Sequence, residues 1–172
     1  MNRKVIVMSL AAAFSAHFSS VAMAASIDGN ATATVIEPLS ITEDVVLDFG
    51  TVSGGPAPGT VTISPAGARS TTGDAQVIGT DGNAGQFTID GEGGQAYTLS
   101  FVGTATLENA AGDTMTADNF TDTSTGTIPG GPGASSETFN VGARLNLGAD
   151  QNSGDYTTIG RGSPFTVTVN YD

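Results

Sequence analysis

The sequence predicts an all-β protein, an antiparallel β-sandwich of about eight short strands. Two observations lead to this prediction. Short runs rich in Thr, Val, Ile, Phe and Tyr alternate between apolar and polar residues, and joints rich in Gly, Pro, Asn and Asp separate them. After residue 24, no segment shows the apolar period of an amphipathic helix.

The first 24 residues have the features of a cleaved signal peptide. Arg3 and Lys4 give a positive start, residues 5–13 are apolar, and Ala22-Met23-Ala24 is an A-x-A cleavage site. The apolar stretch is shorter than the roughly 20 residues that cross a bilayer. We therefore expect an exported mature chain without a transmembrane segment, located in the periplasm, on the outer cell surface or outside the cell.

The mature chain, residues 25–172, has the length of one domain. Turn residues punctuate it at 53–59, 79–85, 90–94 and 148–155, and residues 122–137 have little apolar content, which predicts a long surface loop. The predicted strands are Thr32 to Ile36, Val45 to Val52, Thr60 to Ser64, Gln86 to Asp90, Ala96 to Thr104, Thr138 to Leu147, Tyr156 to Ile159 and Pro164 to Tyr171.

The mature chain is strongly acidic. It keeps three basic residues, Arg69, Arg144 and Arg161, against 17 acidic residues, which gives a formal charge of −14. Binding to nucleic acid rests on Lys and Arg that neutralise phosphates, so this balance argues against a nucleic-acid partner. It argues equally against an anionic membrane surface.

The residues that most enzymes use for nucleophilic catalysis are missing. The chain has no cysteine, and its single histidine, His17, lies in the signal peptide. Ser-His-Asp and Cys-His mechanisms are therefore excluded, and structural zinc, haem and iron–sulfur sites lose their usual ligands. We predict no catalytic residues and no cofactor.

Oxygen ligands for calcium remain possible in one turn. Asp150, Asn152 and Asp155 are weak metal candidates, although their spacing does not fit an EF-hand, and ordinary turn chemistry explains them as well. A monomeric module that binds glycans or calcium through its loops, at 79–85, 122–136 and 148–155, is therefore the alternative function.

The C-terminal stretch SPFTVTVNYD alternates almost to the last residue. Phe165, Val167, Val169 and Tyr171 share one face of the predicted strand. Full burial of these four side chains would contribute on the order of 6–12 kcal/mol, so the strand must pair with another strand. The sequence leaves open whether that neighbour is this chain's own N-terminal strand or one from another molecule.

The mature chain resembles a family of bacterial exported proteins catalogued as domain of unknown function 4402. The similar elements occur in the order EPLSI (37–41), LDFGTV (47–52), GQFTIDGEGGQAYTLS (85–100), FNVGARLNL (139–147), SGDYT (153–157) and FTVTVNY (165–171). The resemblance covers nearly the whole mature chain. It implies an exported domain and supplies no activity.

The C-terminal strand is also similar to that of chaperone–usher pilins, which are Ig-like sandwiches that lack one strand. This resemblance implies that a periplasmic chaperone and then a like subunit supply the missing strand, by β-augmentation. Phe165, Val167, Val169 and Tyr171 would form the zipper, and Ala31, Ala33 and Val35 the donor strand. The leading hypothesis is therefore a non-enzymatic structural or adhesive surface protein with an Ig-like or pilin-like sandwich.

Overall fold

The computed structural model describes residues 23–172, so nearly all of the predicted signal peptide lies outside the described residues. These residues fall into two units, one that ends at Thr34 and one that spans Val35–Asp172. Residues 23–34 contain neither helix nor strand. All the strands belong to the second unit.

The second unit contains 11 strands, all in antiparallel sheets, and the described residues contain no helix. The all-β prediction is confirmed. The strands are Ser40–Val45 (β1), Val52–Ser53 (β2), Gly59–Ile63 (β3), Arg69–Gly73 (β4), Gln76–Val77 (β5), Gly85–Glu92 (β6), Tyr97–Val102 (β7), Ala105–Glu108 (β8), Thr114–Asp122 (β9), Ala134–Leu147 (β10) and Thr166–Tyr171 (β11).

The long strand β10 organises a seven-stranded sheet. Its first part pairs with β6 and its second part with β3, while β9 pairs along the opposite edge. Strands β1, β4 and β8 complete the sheet by pairing with β6, β3 and β9. The odd-numbered side chains of β10 from residue 137 to 147 are all buried, as expected for a strand with one face on the core.

A second layer covers the buried face of this sheet in two separate pieces. The β7–β11 pair packs on a core cluster of Phe87, Ile89, Tyr97, Ile128, Phe139 and Val141. The short β2–β5 pair packs on a second cluster that includes Phe49, Val61, Ile63, Leu145 and Leu147. The result is a sandwich-like arrangement whose smaller layer is not continuous.

Several predicted boundaries were wrong. Thr32 to Ile36 is not a strand, and neither is Tyr156 to Ile159, where Thr157 makes one isolated bridge to Glu108. Of the run predicted from Val45 to Val52, only its first and last residues are in strands. There, Leu47 and Phe49 reach the core from an irregular segment, so apolar content alone does not distinguish such a segment from a strand.

The predicted loop 122–137 was also too long. Strand β9 ends at Asp122 and β10 begins at Ala134, so the connection comprises residues 123–133. Ile128, in the middle of that connection, is fully buried in the first cluster. The loop is therefore anchored to the core by one apolar side chain.

Candidate functional site: a cleft beside the C-terminal strand

The C-terminal strand pairs within its own chain. Strand β11 runs antiparallel to β7, with Val167 opposite Phe101 and Tyr171 opposite Tyr97. The neighbour that the sequence left open is thus β7, and not the segment Ala31 to Ile36. The four predicted zipper residues, Phe165, Val167, Val169 and Tyr171, all pack against the cluster under β7–β11.

The other edge of β11 has no partner strand within residues 23–172. An unpaired strand edge presents a row of N–H and C=O groups to a further strand. Pro164 and Phe165, just before β11, place this edge beside a cleft. The edge and the cleft together form the candidate site.

The cleft has a volume of about 1310 Å³ and lies where the smaller layer is interrupted. Residues between 41 and 54, from β1, β2 and the segment that joins them, form one wall. Residues 151–159 and 164–167 form the other wall. Side chains of the second cluster, among them Ala105, Met115 and Leu145, line the cleft between these walls. The cleft is therefore a gap in one layer of the sandwich with the apolar face of the other layer as its floor.

Phe165 lies at the junction of the cleft and the core. Its ring stacks on Phe120 at a centroid distance of 4.2 Å and meets Phe87 edge-on at 6.3 Å. It packs against both core clusters. Because these three rings hold one another, this part of the cleft wall is bulky and fixed.

The charged residues that line the cleft are all acidic: Glu43, Asp48, Asp81 and Asp155. Asp48 accepts a hydrogen bond from the Gly50 N–H at 2.8 Å, and Asp81 accepts from the hydroxyl and the N–H of Thr51 at 2.7 and 2.8 Å. These bonds favour the carboxylate, so they lower the pKa of Asp81. Asp48 and Asp81 thus fix the irregular segment 46–51 at the rim of the cleft.

The predicted donor residues Ala31, Ala33 and Val35 are exposed and lie outside any strand. Val35 has 94% of its surface exposed, and Ile27 has 95%. Ile27 has the same parity as the three predicted residues, so it would face the same way in an extended strand. Ile27 was not among the predicted donor residues, although the alternation with polar residues continues back to it.

The N-terminal segment joins the folded unit at Glu37, which is held by two side chains. The Tyr171 hydroxyl donates a hydrogen bond to the Glu37 carbonyl oxygen at 2.8 Å. The Glu92 carboxylate accepts from the Glu37 N–H at 3.2 Å and from the Gly133 N–H at 2.8 Å. These contacts hold Glu37 on the folded unit.

One carboxylate is buried within the first cluster. Glu137, only 6% exposed, accepts hydrogen bonds from the Tyr97 hydroxyl at 2.6 Å and from the Thr125 N–H at 2.7 Å. Burial, together with the neighbouring Glu137 carboxylate, raises the pKa of Tyr97 to about 12. The pair connects β7, β10 and the 123–133 connection, and it does not line the cleft.

Two of the weak calcium candidates, Asp150 and Asn152, take part in hydrogen bonds. The Asn152 side-chain N–H donates to Asp113, whose pKa is lowered by this bond and by another from Asn109. The Asp150 backbone N–H is bonded to the Gly55 carbonyl oxygen. Within residues 23–172, no three His, Cys, Asp or Glu side chains are grouped as a metal site would need.

The site therefore combines a discontinuous layer, an apolar cleft with acidic side chains, and an unpaired strand edge in a sandwich-like domain. The chain belongs to the family described as a domain of unknown function (DUF4402), whose model matches residues 39–171. Searches of curated proteins and of solved structures found no significant match. Among the described residues, no helix could span a membrane.

Proposed function

We propose that this protein is an exported, non-enzymatic structural protein of the bacterial cell surface whose copies join by strand addition. In this proposal, the N-terminal segment of one copy, residues 25–36, extends as a strand and fills the cleft of the next copy beside β11. Backbone hydrogen bonds to the free edge of β11 supply affinity, and side chains that enter the cleft supply specificity.

The distribution of exposed apolar side chains is the main support for this proposal. Nine large apolar side chains are exposed among the described residues, and Ile27, Val35 and Ile36 belong to the N-terminal segment. Three others, Val45, Val46 and Ile159, line the cleft. Exposed apolar surface on a soluble domain commonly marks a contact with another molecule, and here it occurs on both predicted partners.

The chemistry of the cleft agrees with a binding role more than with catalysis. The mature chain has no imidazole or thiol. Asp48 and Asp81 already accept hydrogen bonds from Gly50 and Thr51, in the segment 46–51. A cleft of this volume with a free strand edge suits an extended peptide. Because the same edge is unprotected before assembly, we also expect a periplasmic chaperone to cover it until another copy arrives.

Removal of residues 25–36 tests the proposal. Both core clusters draw all their residues from position 39 onward, so the shortened chain 37–172 should fold with an unchanged melting temperature. The mature chain should form oligomers or filaments, seen by light scattering and negative-stain microscopy, and the shortened chain should stay monomeric.

A cleft variant gives the matched control. Val46→Asp places a charge in the cleft and should block assembly, while Val102→Asp alters an exposed valine on β7 that does not line the cleft and should leave assembly intact. A wild-type mature chain that is monomeric at every concentration would refute the proposal. Oligomers of equal size from the shortened chain would also refute it.

A further inference from the structure

We infer that Ile27 and Val35 are the two specificity-determining residues that hold the N-terminal segment in the cleft of another copy. This inference rests on the proposed function and concerns the side chains and the register of the added strand. It assigns the occupant of the cleft as a second copy of this chain.

Residues 26–35 alternate between polar residues and apolar or small residues. In an extended strand, successive side chains point to opposite faces. One face of residues 26–36 would carry Ile27, Gly29, Ala31, Ala33 and Val35. The other face would carry the polar side chains Ser26, Asp28, Asn30, Thr32 and Thr34, with Ile36, which is 40% exposed, at its end. Because the cleft floor is apolar, the odd-numbered face is the one that enters the cleft.

The side chains on the odd-numbered face of the segment differ in size. Ile27 and Val35 are its large members, and the three between them are Gly or Ala. Burial of an Ile or Val contributes several times more than burial of an alanine methyl group. Most of the side-chain contribution to binding therefore comes from the two ends, which lie about 27 Å apart in an extended strand.

The small central residues match the shape of the cleft wall. The stacked rings of Phe120 and Phe165 both line the cleft and are held by packing on the core. A strand that passes over fixed aromatic rings needs small side chains there, since large ones would overpack the contact. Gly29, Ala31 and Ala33 meet that requirement.

Two separated large residues also fix the register. A shift of the strand by two positions would keep the same face inward. However, each large side chain would leave the position that it occupies in the cleft, and a smaller or different residue would take that position. A segment with uniform small residues would allow such shifts. The spacing of Ile27 and Val35 thus selects one alignment of the two copies.

The test is a dilution series of the mature chain, followed by light scattering, which gives the protein concentration of half-assembly. Ile27→Ser and Val35→Ser should each raise this concentration roughly tenfold or more, because each removes one large buried side chain. Thr32→Ser and Thr34→Ser, on the opposite face, are the matched controls and should change it less than about twofold.

The outcomes separate this inference from the proposed function. If the wild-type chain does not assemble at all, the proposed function fails and this inference fails with it. If the wild type assembles and residues 25–36 are required, but Ile27→Ser and Val35→Ser behave like the Thr controls, only the two-residue assignment is overturned. Equal losses of assembly from substitutions at odd and even positions would also overturn the two-residue assignment.

Discussion

The Tyr171 hydroxyl and the Glu37 carbonyl oxygen are 2.8 Å apart across 134 residues of sequence. The same hydroxyl accepts a hydrogen bond from the Glu92 N–H at 2.6 Å, and the ring packs against the first core cluster. One side chain near the C-terminus therefore joins the last strand, β6 and the start of the folded unit. The position of Glu37 on the folded unit depends on that side chain.

Tyr171→Phe should lower the free energy of unfolding by about 1–2 kcal/mol, because it removes two hydrogen bonds and keeps the ring. Urea denaturation of the chain 37–172 measures this change without interference from assembly. Asn170→Ser, at an exposed neighbouring position, is the control and should have little effect. An unchanged midpoint for Tyr171→Phe would show that water replaces both bonds at no cost.

Glu137→Ala should destabilise the fold by about 2–4 kcal/mol, because the donors Tyr97 and Thr125 lose their acceptor inside the core. Glu137→Gln keeps an acceptor oxygen and should cost less. Ser136→Ala, at an exposed position on the same strand, is the matched control and should be nearly neutral. Equal effects of Ala and Gln at position 137 would contradict the role given to these bonds.

The stability of the protein should fall at alkaline pH as Tyr97 ionises. Tyrosine in an unfolded chain has a pKa of about 10, and in the folded protein the pKa of Tyr97 is raised to about 12. Below pH of about 10, the phenol is protonated in both states and its stabilisation is fully present. Above that pH the unfolded chain releases the proton first, so this stabilisation is lost as the pH rises through about 12.

The near-ultraviolet absorbance of tyrosinate measures this ionisation directly. One of the three tyrosines should titrate near pH 12, and Tyr97→Phe should remove that step. Tyr156→Phe should leave it in place. A titration of Tyr97→Phe that still shows the step near pH 12 would refute the assignment.

Gly142→Ala should be strongly destabilising. A Cβ atom at this position would lie 2.3 Å from the Ile63 carbonyl oxygen and 2.7 Å from the Pro65 nitrogen, at the point where β10 exchanges β6 for β3. Such an overlap forces backbone shifts that cost about 1–3 kcal/mol or more. Gly131→Ala has no atom within 4 Å of its Cβ and no positive φ, so it is the control. Similar melting temperatures for both variants would show that the backbone accommodates a Cβ atom at position 142, which would contradict this prediction.

The sequence predicted some of the strands whose side chains alternate between core and solvent, but it missed β9, in which Met115 and Ala117 are buried. Strand β11 was found because Phe165, Val167, Val169 and Tyr171 alternate with polar residues, and β10 was found for the same reason. Strand β4 was missed because none of its side chains is buried, so its sequence RSTTG has no apolar period. Backbone hydrogen bonds to β3, which leave no pattern in the sequence, define it.

The candidate site was predictable only in part. Val167, Val169 and Tyr171 were identified correctly as members of a strand, and Phe165 lies one residue before it. The cleft, in contrast, arises because β2 and β11 belong to separate small sheets. Sequence spacing carries no information about such a gap between elements that lie more than 100 residues apart. Ile27, in contrast, could have been found from its parity with Ala31, Ala33 and Val35.

The central position of β10 has a consequence for when the sheet can form. The hairpins β3–β4 and β8–β9 join neighbours in sequence, but β3, β6 and β9 all meet on β10, which ends at Leu147. During synthesis, the large sheet therefore cannot close until most of the chain has been made. Because such distant pairings form slowly, we expect a newly made chain to stay open long enough to be threaded through a membrane pore, as the proposed export requires.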